Sequence, residues 1–433
     1  MTSFRRKLRT LRPNRPGRRY NIYCGSNTWS EWFLALRLLG SREVTKNGGA
    51  IREYERRFAE VTGTRFAFSF GAGRMALFAI LEALGLRSGA EIIVPAFTCV
   101  VVPNAILYHG AKPVYVDIEP TTFNIDVEKI EAAITPRTKA LYAQHTFGVP
   151  CDVSKIRQIA AEHRLAVIED GALALGGVAD EGRVGSLGDA AFFSSDHTKT
   201  IGTHLGGMAV TNDAVVAERL RSIQQRAPFL RGSITRRMLL TFLVEYALFA
   251  APVLWIGRSF YRVLVKTGVL FYFSDELRTS KPTAYPYPCR LSSALAEMGL
   301  QQLKNWQANV RHRRTVAEWL EGRVKWNSTR GVDIDRAVLL RYSFLVKDRS
   351  AFETRFADRF DLGIWFTSVV HCRNQGLELV GYEAGSCPVA EFVTHHIVNL
   401  PTHPRIPLAV MQESVISAWK WLETQVIREC PIH

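Results

Sequence analysis

Apolar and polar residues alternate with two different periods along residues 50–213. Short apolar runs, bounded by glycine, proline or charged residues, predict buried strands at 91–97, 112–118, 139–147 and 165–171. The segments 99–110 and 153–164 instead carry apolar residues at the spacing of a helix. This succession of strands and helices predicts an α/β domain, in which a mostly parallel sheet is covered by helices on both faces.

Polar residues follow two of the predicted strands. Asp170 ends the strand at 165–171, and the stretch FFSSDHTKTIGTHLGG (192–207) places Ser194 and Lys199 just after another apolar run. Most lysines in such gaps are solvated loop residues, so Lys199 by itself indicates little. Ligands of open α/β sheets, however, gather at the carboxyl ends of the strands. We therefore expect Asp170, Ser194 and Lys199 to line one site.

A glycine-rich helix start lies nearer the beginning of the same domain. In FSFGAGRMALFAILEALG (68–85), Gly71 and Gly73 precede an amphipathic helix. The backbone N–H groups and the dipole at such a helix start favour a bound phosphate. A phosphate cradle, a carboxylate and a lysine amine are what pyridoxal phosphate requires for its phosphate, its ring nitrogen and its aldehyde. The sequence therefore predicts a pyridoxal-phosphate site.

The segment 236–273 is more apolar than its surroundings. Glu245 is the single charged residue between Met238 and Gly257, a length close to the roughly 20 residues that cross a bilayer. Pro252 interrupts this run, and the basic and aromatic residues around it are typical of helices that lie on a membrane surface. We expect an interfacial helix pair. The alternatives are a buried helical hairpin that packs on a partner subunit and a membrane-spanning or re-entrant segment.

These patterns divide the chain into three parts. Residues 1–30 are predicted to be a basic N-terminal arm, and residues 31–290 a large cofactor-binding domain with an apolar insertion at about 224–285. Residues 291–433 are predicted to form a smaller C-terminal α+β domain, because a long helical pattern after Ser292 is followed by mixed strands and a final helix.

Composition and charge narrow the functional classes. Seven cysteines are scattered along the 433 residues without a C-x-x-C pair, which indicates a reducing compartment and no metal site. The formal net charge is +15, and no acidic residue occurs before Glu31. The basic arm is therefore expected to be either solvated or bound to an anionic surface. We do not expect it to be a secretory signal, because no long apolar stretch follows it directly. We expect a cytoplasmic protein without a nucleic-acid partner, with peripheral attachment to the inner face of the membrane as a further expectation.

A set of ordered motifs extends these inferences. The motifs are GAGRMAL, VPAFTCVVVPNAILYHGAKPVYVDIEPTTFNID, ITPRTKALYAQHTFGVPCD, VIEDGALALGG, GRVGSLGDAAFFSSDHTK, GGMAVTND, SSALAEMGLQQL and LPTHPRI. Over about 48–213 and from about 285 to the C-terminus, the chain resembles the DegT/StrS-type sugar-nucleotide aminotransferases, which are fold type I pyridoxal-phosphate enzymes. The resemblance implies a large domain with a mostly parallel, seven-stranded type of sheet and a smaller C-terminal α+β domain.

The family pattern implies a cofactor-binding role for each matching residue. Lys199 would be the catalytic residue, which binds the cofactor aldehyde and moves protons between the cofactor and the substrate carbons. Asp170 would pair with the ring nitrogen. Ser194 would donate to the cofactor phosphate, beside Gly73 and Arg74 at the helix start.

Four further positions complete the expected site. His145 would lie near the cofactor ring, and Ala172 belongs to the same cofactor-facing stretch as Asp170. Cys99 stands where the family has a ring-stacking aromatic residue or histidine. Arg290 is what remains of an N-Y-R motif that reaches a neighbouring subunit's site, so it is the candidate substrate contact. Other departures from the family pattern occur at Leu173, Leu205 and Pro288.

The resemblance implies an aminotransferase that moves an amino group, with glutamate as the donor, to a keto-sugar carried on a nucleotide or lipid diphosphate. It also implies a homodimer with a shared active site. Lys199 argues against sugar dehydration, because a dehydrating relative has histidine at that position. The alternative is a non-catalytic, membrane- or nucleic-acid-associated binding protein on the same fold, which is suggested by Cys99, Leu173 and the basic arm.

Overall fold

The computed structural model describes residues 19–41, 48–179, 181–271, 273, 278–326 and 332–432. Most of the predicted basic arm, residues 1–18, lies outside the described residues. The strands are β1 (Tyr20–Asn21), β2 (Phe66–Phe70), β3 (Glu91–Pro95), β4 (Thr98–Cys99), β5 (Lys112–Val116), β6 (Thr138–Gln144), β7 (Ala166–Asp170), β8 (Ala190–Ser194), β9 (Gly207–Thr211), β10 (Arg341–Leu345), β11 (Phe360–Asp361), β12 (Val370–His371) and β13 (Ile397–Pro401).

The helices agree with the helical spacing of the sequence wherever that spacing was clear. They are α1 (Trp29–Leu39), α2 (Gly48–Thr62), α3 (Gly73–Ala83), α4 (Val101–His109), α5 (Val153–His163), α6 (Ala214–Arg226), α7 (Gly232–Leu248), α8 (Leu254–Lys266), α9 (Ser293–Val324), α10 (Arg349–Phe356), α11 (Pro388–His396) and α12 (Leu408–Gln425). The segments predicted as helices at 99–110 and 153–164 correspond to α4 and α5.

A seven-stranded sheet forms the centre of the molecule, which confirms the predicted fold class. Its strand order is β2-β9-β8-β7-β6-β3-β5. The pairs from β8 through β7, β6 and β3 to β5 are parallel, whereas β9 runs antiparallel to both β2 and β8. Because β7 and β8 are parallel neighbours, their carboxyl ends open onto the same edge of the sheet.

Successive strand residues belong to different apolar cores on the two faces of the sheet. Ile92 and Ile168 pack in a core with α3, while their sequence neighbours Ile93 and Val167 pack in a core with α5. This two-residue alternation explains why the strands of the sheet read as continuous apolar runs: both faces are covered.

A third apolar core gathers the C-terminal elements around β10, β13, α10 and α12. Phe97 and Phe147 from the first half of the chain also belong to this core, so the two halves pack on each other.

Helix α9 begins where the Ser292 hydroxyl accepts a hydrogen bond from the Leu295 N–H. The domain boundaries at residues 30 and 290 stay predictions.

The apolar insertion forms two helices with different surroundings. Helix α7 is a core helix: Met238, Leu239 and Phe242 have no exposed side-chain surface, and α1 packs on it. The expected interfacial helix pair is therefore wrong for α7, because its apolar side chains are already covered by the protein. Helix α8 instead exposes Ile256, Phe260 and Val263 by 53–55%. Among the described residues, no helix has the length and hydropathy needed to cross a membrane.

Candidate active site

The carboxyl ends of β7 and β8 bring the predicted site residues together. Asp170 is the last residue of β7, and Ser194 is the last residue of the neighbouring β8. The loop 195–206 leaves β8 and returns as the antiparallel β9, and it carries Lys199. Asp170 and Lys199, which are far apart in sequence, thus lie close enough to influence each other's ionisation.

Asp170 is a buried carboxylate with defined partners. The Tyr142 hydroxyl donates to Oδ2 at 2.6 Å, and the backbone N–H of Ala172 donates to Oδ1 at 2.9 Å. Burial raises the pKa of the Asp170 carboxyl, and these two donors together with the Lys199 amine offset part of that effect. A cationic ring nitrogen beside this carboxylate would complete its charge balance, so the site fits a pyridinium N–H.

Lys199 lies in a partly buried position between the Trp365 ring and several ionisable side chains. Its Nζ stands 5.1 Å from the centre of the Trp365 ring, and the guanidinium of Arg341 stands 4.0 Å from the same ring. Burial lowers the pKa of Lys199, and Arg341 adds to this effect, whereas Asp196, Cys99 and Asp170 oppose it. A lowered pKa increases the fraction of neutral amine, which is the nucleophilic form that binds an aldehyde.

The start of α3 has the features expected of the predicted phosphate cradle. No side chain caps this helix, and its first residue, Gly73, lies against the end of β8. A Cβ at Gly73 would stand 2.9 Å from the Ser194 Cβ, and a Cβ at Gly207 would stand 2.4 Å from the Gly73 nitrogen. Both glycines are required because the helix start and the strand ends approach so closely. The uncapped N–H groups and the Ser194 hydroxyl form a donor set that suits a phosphate.

The structure brings the backbone of His145 to this cluster but turns its side chain to other partners: its backbone N–H donates to the Asp170 carbonyl at 3.2 Å. Its Nε2 lies 3.1 Å from Glu169, and its Nδ1 accepts a hydrogen bond from the Cys151 N–H at 2.9 Å. Glu169 precedes Asp170 on β7, so the two side chains point to opposite faces of the sheet. The His145 imidazole therefore contacts the carboxylate on the sheet face opposite to that of Asp170, and its place near the cofactor ring stays a prediction.

Arg74 and Arg290 also have partners of their own in this chain. The Arg74 guanidinium lies 4.9 Å from the centre of the Phe273 ring, so only its backbone N–H remains a candidate for the cradle. Arg290 donates from Nε to the Gln224 carbonyl at 2.6 Å and stacks on Phe229 at 5.0 Å. Of the two arginines, neither has its guanidinium in a described contact with Lys199.

The sequence did not indicate three residues around the site: Tyr142, Arg341 and Trp365. It also left open where the positions that depart from the family pattern would lie. Tyr142 lies on β6, where Gln144 pairs with Asp170 in register, and strand alternation from Gln144 could have indicated it. Arg341 and Trp365 come from distant parts of the chain and carried no local signal. Of the positions in doubt, Cys99 lies on β4 near Lys199, and Leu173 and Leu205 are buried in apolar cores.

Comparisons with known proteins show the family to which the chain belongs. The model described as the DegT/DnrJ/EryC1/StrS aminotransferase family matches residues 33–231. An uncharacterised protein of Methanocaldococcus jannaschii is 30% identical over 367 residues, which cover 82% of this chain and 85% of that protein. The chain belongs to this aminotransferase family. The departures at Cys99, Leu173 and Leu205 are thus variations within the DegT/DnrJ/EryC1/StrS pattern.

Better-characterised members of the family match a shorter part. The GDP-perosamine synthases of Caulobacter vibrioides and Escherichia coli O157:H7 are 40% and 39% identical over 207 and 198 residues, or 48% and 46% of this chain. The chain spans about half the length of these curated relatives, 52% and 54%.

A solved aminotransferase from Psychrobacter cryohalolentis matches in fold with a TM-score of 0.68, at 22% identity, over 92% of this chain and 98% of that one. NtdA of Bacillus subtilis, solved with bound cofactor PMP, has a TM-score of 0.69 at 22% identity, over 95% and 87% of the two chains.

A single methyl group tests the cradle. In Gly73→Ala the added Cβ meets Ser194, so we expect the dissociation constant for pyridoxal phosphate to rise about tenfold or more, which corresponds to about 1.4 kcal/mol. The matched control is Gly322→Ala in α9, where a Cβ meets no atom within 4 Å. It should leave the dissociation constant unchanged and slightly raise the melting temperature. Equilibrium dialysis against pyridoxal phosphate measures the dissociation constant of each variant. Equal affinities of Gly73→Ala and the wild type would contradict the cradle.

Proposed function

We propose that this protein is a pyridoxal-phosphate-dependent aminotransferase that transfers an amino group, with glutamate as donor, to a keto-sugar carried on a nucleotide or lipid diphosphate. One observation carries this proposal. A desolvated lysine, a buried carboxylate and a phosphate-sized donor set meet at the same edge of the sheet, in a chain of the DegT/DnrJ/EryC1/StrS family.

The residues of this chain would divide the chemistry among them. When bound, pyridoxal phosphate supplies an aldehyde for the amino group and an electron-withdrawing ring. Ser194 and the first N–H groups of α3 hold the phosphate. Asp170, which Tyr142 orients through a 2.6 Å hydrogen bond, keeps a proton on the ring nitrogen. Lys199 would hold the aldehyde until the amino donor displaces its amine, and the freed amine would then move the proton at the substrate carbon.

Named relatives support the choice of acceptor. Besides the GDP-perosamine synthases, a dTDP-3-amino-3,6-dideoxy-alpha-D-galactopyranose transaminase of Aneurinibacillus thermoaerophilus is 43% identical over 178 residues, which cover 41% of this chain and 49% of that protein. Both names specify a sugar that bears a nucleoside diphosphate. We therefore place a nucleotide-linked keto-sugar first among the acceptors to be tested.

Removal of Lys199 tests the proposal directly. After incubation with pyridoxal phosphate and reduction with borohydride, the wild-type chain should carry one covalently attached phosphopyridoxyl group at Lys199, and Lys199→Ala should carry none at that position. In a separate sample that is not reduced, wild-type protein whose cofactor has been aminated by glutamate should transfer the amino group to one member of a panel of nucleotide-linked keto-sugars. If the wild type neither binds cofactor nor shows an absorbance band for it, the non-catalytic alternative is the correct one.

A homodimer with shared sites forms the second part of the proposal. Helix α1 exposes Trp29, Phe33 and Leu36, which recur at the spacing of one helical face. Arg290 is tied to Gln224 and Phe229 in its own chain. We propose that a second copy covers the α1 face and that Arg290 contributes to the substrate site of that copy.

Subunit mixing tests the shared site. Lys199→Ala and Arg290→Ala homodimers should each be nearly inactive. After the two are unfolded together and refolded, about half of the dimers are mixed, and each mixed dimer regains one complete site, so we expect about a quarter of wild-type activity. Light scattering should give the mass of two chains. Monomers, or mixtures that stay inactive, would contradict the shared site.

Helix α8 is the remaining candidate for membrane contact. Its exposed face carries Ile256, Phe260 and Val263, with the exposed Lys266 at its end. The chain has a net charge of +15, which favours an anionic surface as the partner of this face. We propose that α8 lies on anionic lipid, where apolar burial and about 1 kcal/mol for each nearby basic residue act together.

Co-sedimentation with phosphatidylserine-containing vesicles tests this contact. Wild-type protein should pellet at low salt and partly at high salt, because apolar burial is not screened. The variant Ile256→Glu/Phe260→Glu/Val263→Glu should stay in the supernatant. The control Val215→Glu/Leu379→Glu/Ile416→Glu changes the same number of exposed apolar residues elsewhere and should still pellet. Wild-type protein that stays in the supernatant at low salt would contradict the membrane proposal.

A further inference from the structure

We propose that Glu245 of the apolar insertion is a positioning residue, which holds the Lys199 loop through the two histidines His197 and His204. The inference rests on the proposed function, because it concerns the residue assigned there to bind the cofactor. It gives the insertion a role inside the enzyme as well as at its surface.

The contacts of Glu245 are direct and lie on both sides of Lys199. One carboxylate oxygen, Oε2, stands 3.0 Å from His197 Nδ1 and 3.5 Å from His204 Nδ1. The other oxygen, Oε1, accepts a hydrogen bond of 2.7 Å from the Tyr261 hydroxyl of α8. His197 precedes Lys199 by two residues and His204 follows it by five. A single carboxylate from α7 therefore fastens the loop before and after the lysine.

Burial makes this contact strong. The Glu245 side chain is 1% exposed. Burial alone would raise the pKa of the Glu245 carboxyl, yet His197 and His204 lower it far below its ordinary value. The carboxylate is thus charged at neutral pH and depends on these partners, since a buried charge that loses its partner is strongly destabilising.

The backbone of the loop needs such a restraint. His204 has φ +71, in the left-handed region that residues with a side chain avoid. A conformation of this kind persists only when surrounding contacts enforce it. Glu245 contributes to this restraint through its 3.5 Å contact with the His204 imidazole, and the neighbouring Tyr23 ring packs edge-on against His197 at 4.8 Å. The loop that presents Lys199 is thus held from two sides.

The same three residues could in principle bind a metal ion, but their spacing favours direct contact. Their ligand atoms lie within 4.8 Å of one another. Ligands at the usual zinc distances of about 2.0–2.2 Å would stand roughly 3.3–3.5 Å apart in a tetrahedral site. The 3.0 Å separation of His197 Nδ1 and Glu245 Oε2 is instead that of a hydrogen bond. The 3.5 Å separation of His204 Nδ1 and Glu245 Oε2 fits either arrangement, so the His197 contact decides for direct contact.

Glu245→Gln tests the positioning role, because it keeps the size of the side chain and removes its charge. The variant should bind pyridoxal phosphate with wild-type affinity in equilibrium dialysis. The rate at which bound cofactor becomes reducible by borohydride at Lys199 should fall about 10- to 100-fold, the cost expected for a displaced reacting group. The visible circular dichroism of the bound cofactor should weaken, and kcat should fall while KM for the donor stays within a few-fold.

Glu321→Gln is the matched control. Glu321 of α9 is also buried and accepts a 2.6 Å hydrogen bond from a tyrosine hydroxyl, that of Tyr342. This variant should lower the melting temperature without changing the reduction rate or the dichroism. Wild-type rates in Glu245→Gln would overturn the positioning role while leaving the proposed function intact. Direct contact would be overturned if the purified protein contained equimolar zinc and if chelation of this zinc reproduced the fall in reduction rate and dichroism expected for Glu245→Gln. A wild-type chain without reducible cofactor would overturn both proposals.

Discussion

The close approach of α3 to the ends of β8 and β9 is the constraint on which the site depends. It requires a position without a side chain on each side, Gly73 at the helix start and Gly207 at the start of β9. The contact sets the first N–H groups of α3 beside Ser194. It also fixes the two strand ends between which the Lys199 loop is held. The phosphate cradle and the lysine are thus placed by one packing arrangement.

Desolvation shifts the ionisation of Asp170 and Lys199, the two ionisable groups of the site. Burial raises the pKa of Asp170 and lowers that of Lys199, so each group is shifted toward its neutral form. Neither shift is fully offset within the chain. A ligand that brings a cationic ring nitrogen to Asp170 and an aldehyde to a neutral Lys199 matches both groups, which is why the electrostatics of the site agree with family membership.

The apolar insertion combines two physical roles that its composition alone does not separate. Helix α7 is covered by α1 and by the main core, and its one acidic residue turns inward to the Lys199 loop. Helix α8 packs through Leu254 and Tyr261 and leaves Ile256, Phe260 and Val263 exposed. A nearly continuous apolar run of this kind is compatible with a core helix, an interface and a membrane surface, because periodicity reports only that apolar area must be covered.

The sequence by itself determined the α/β class, the strands of the sheet, the glycine-led helix start and the meeting of Asp170, Ser194 and Lys199 at one edge of the sheet. Each of these follows from local periodicity or from the rule that ligands lie at strand ends. Only the tertiary structure decided the partners of the His145 imidazole, the burial of α7, and the contacts of Tyr142, Arg341 and Glu245. These contacts depend on which residues from distant segments share a face. Strand register and helix packing decide this, and neither leaves a local pattern in the sequence.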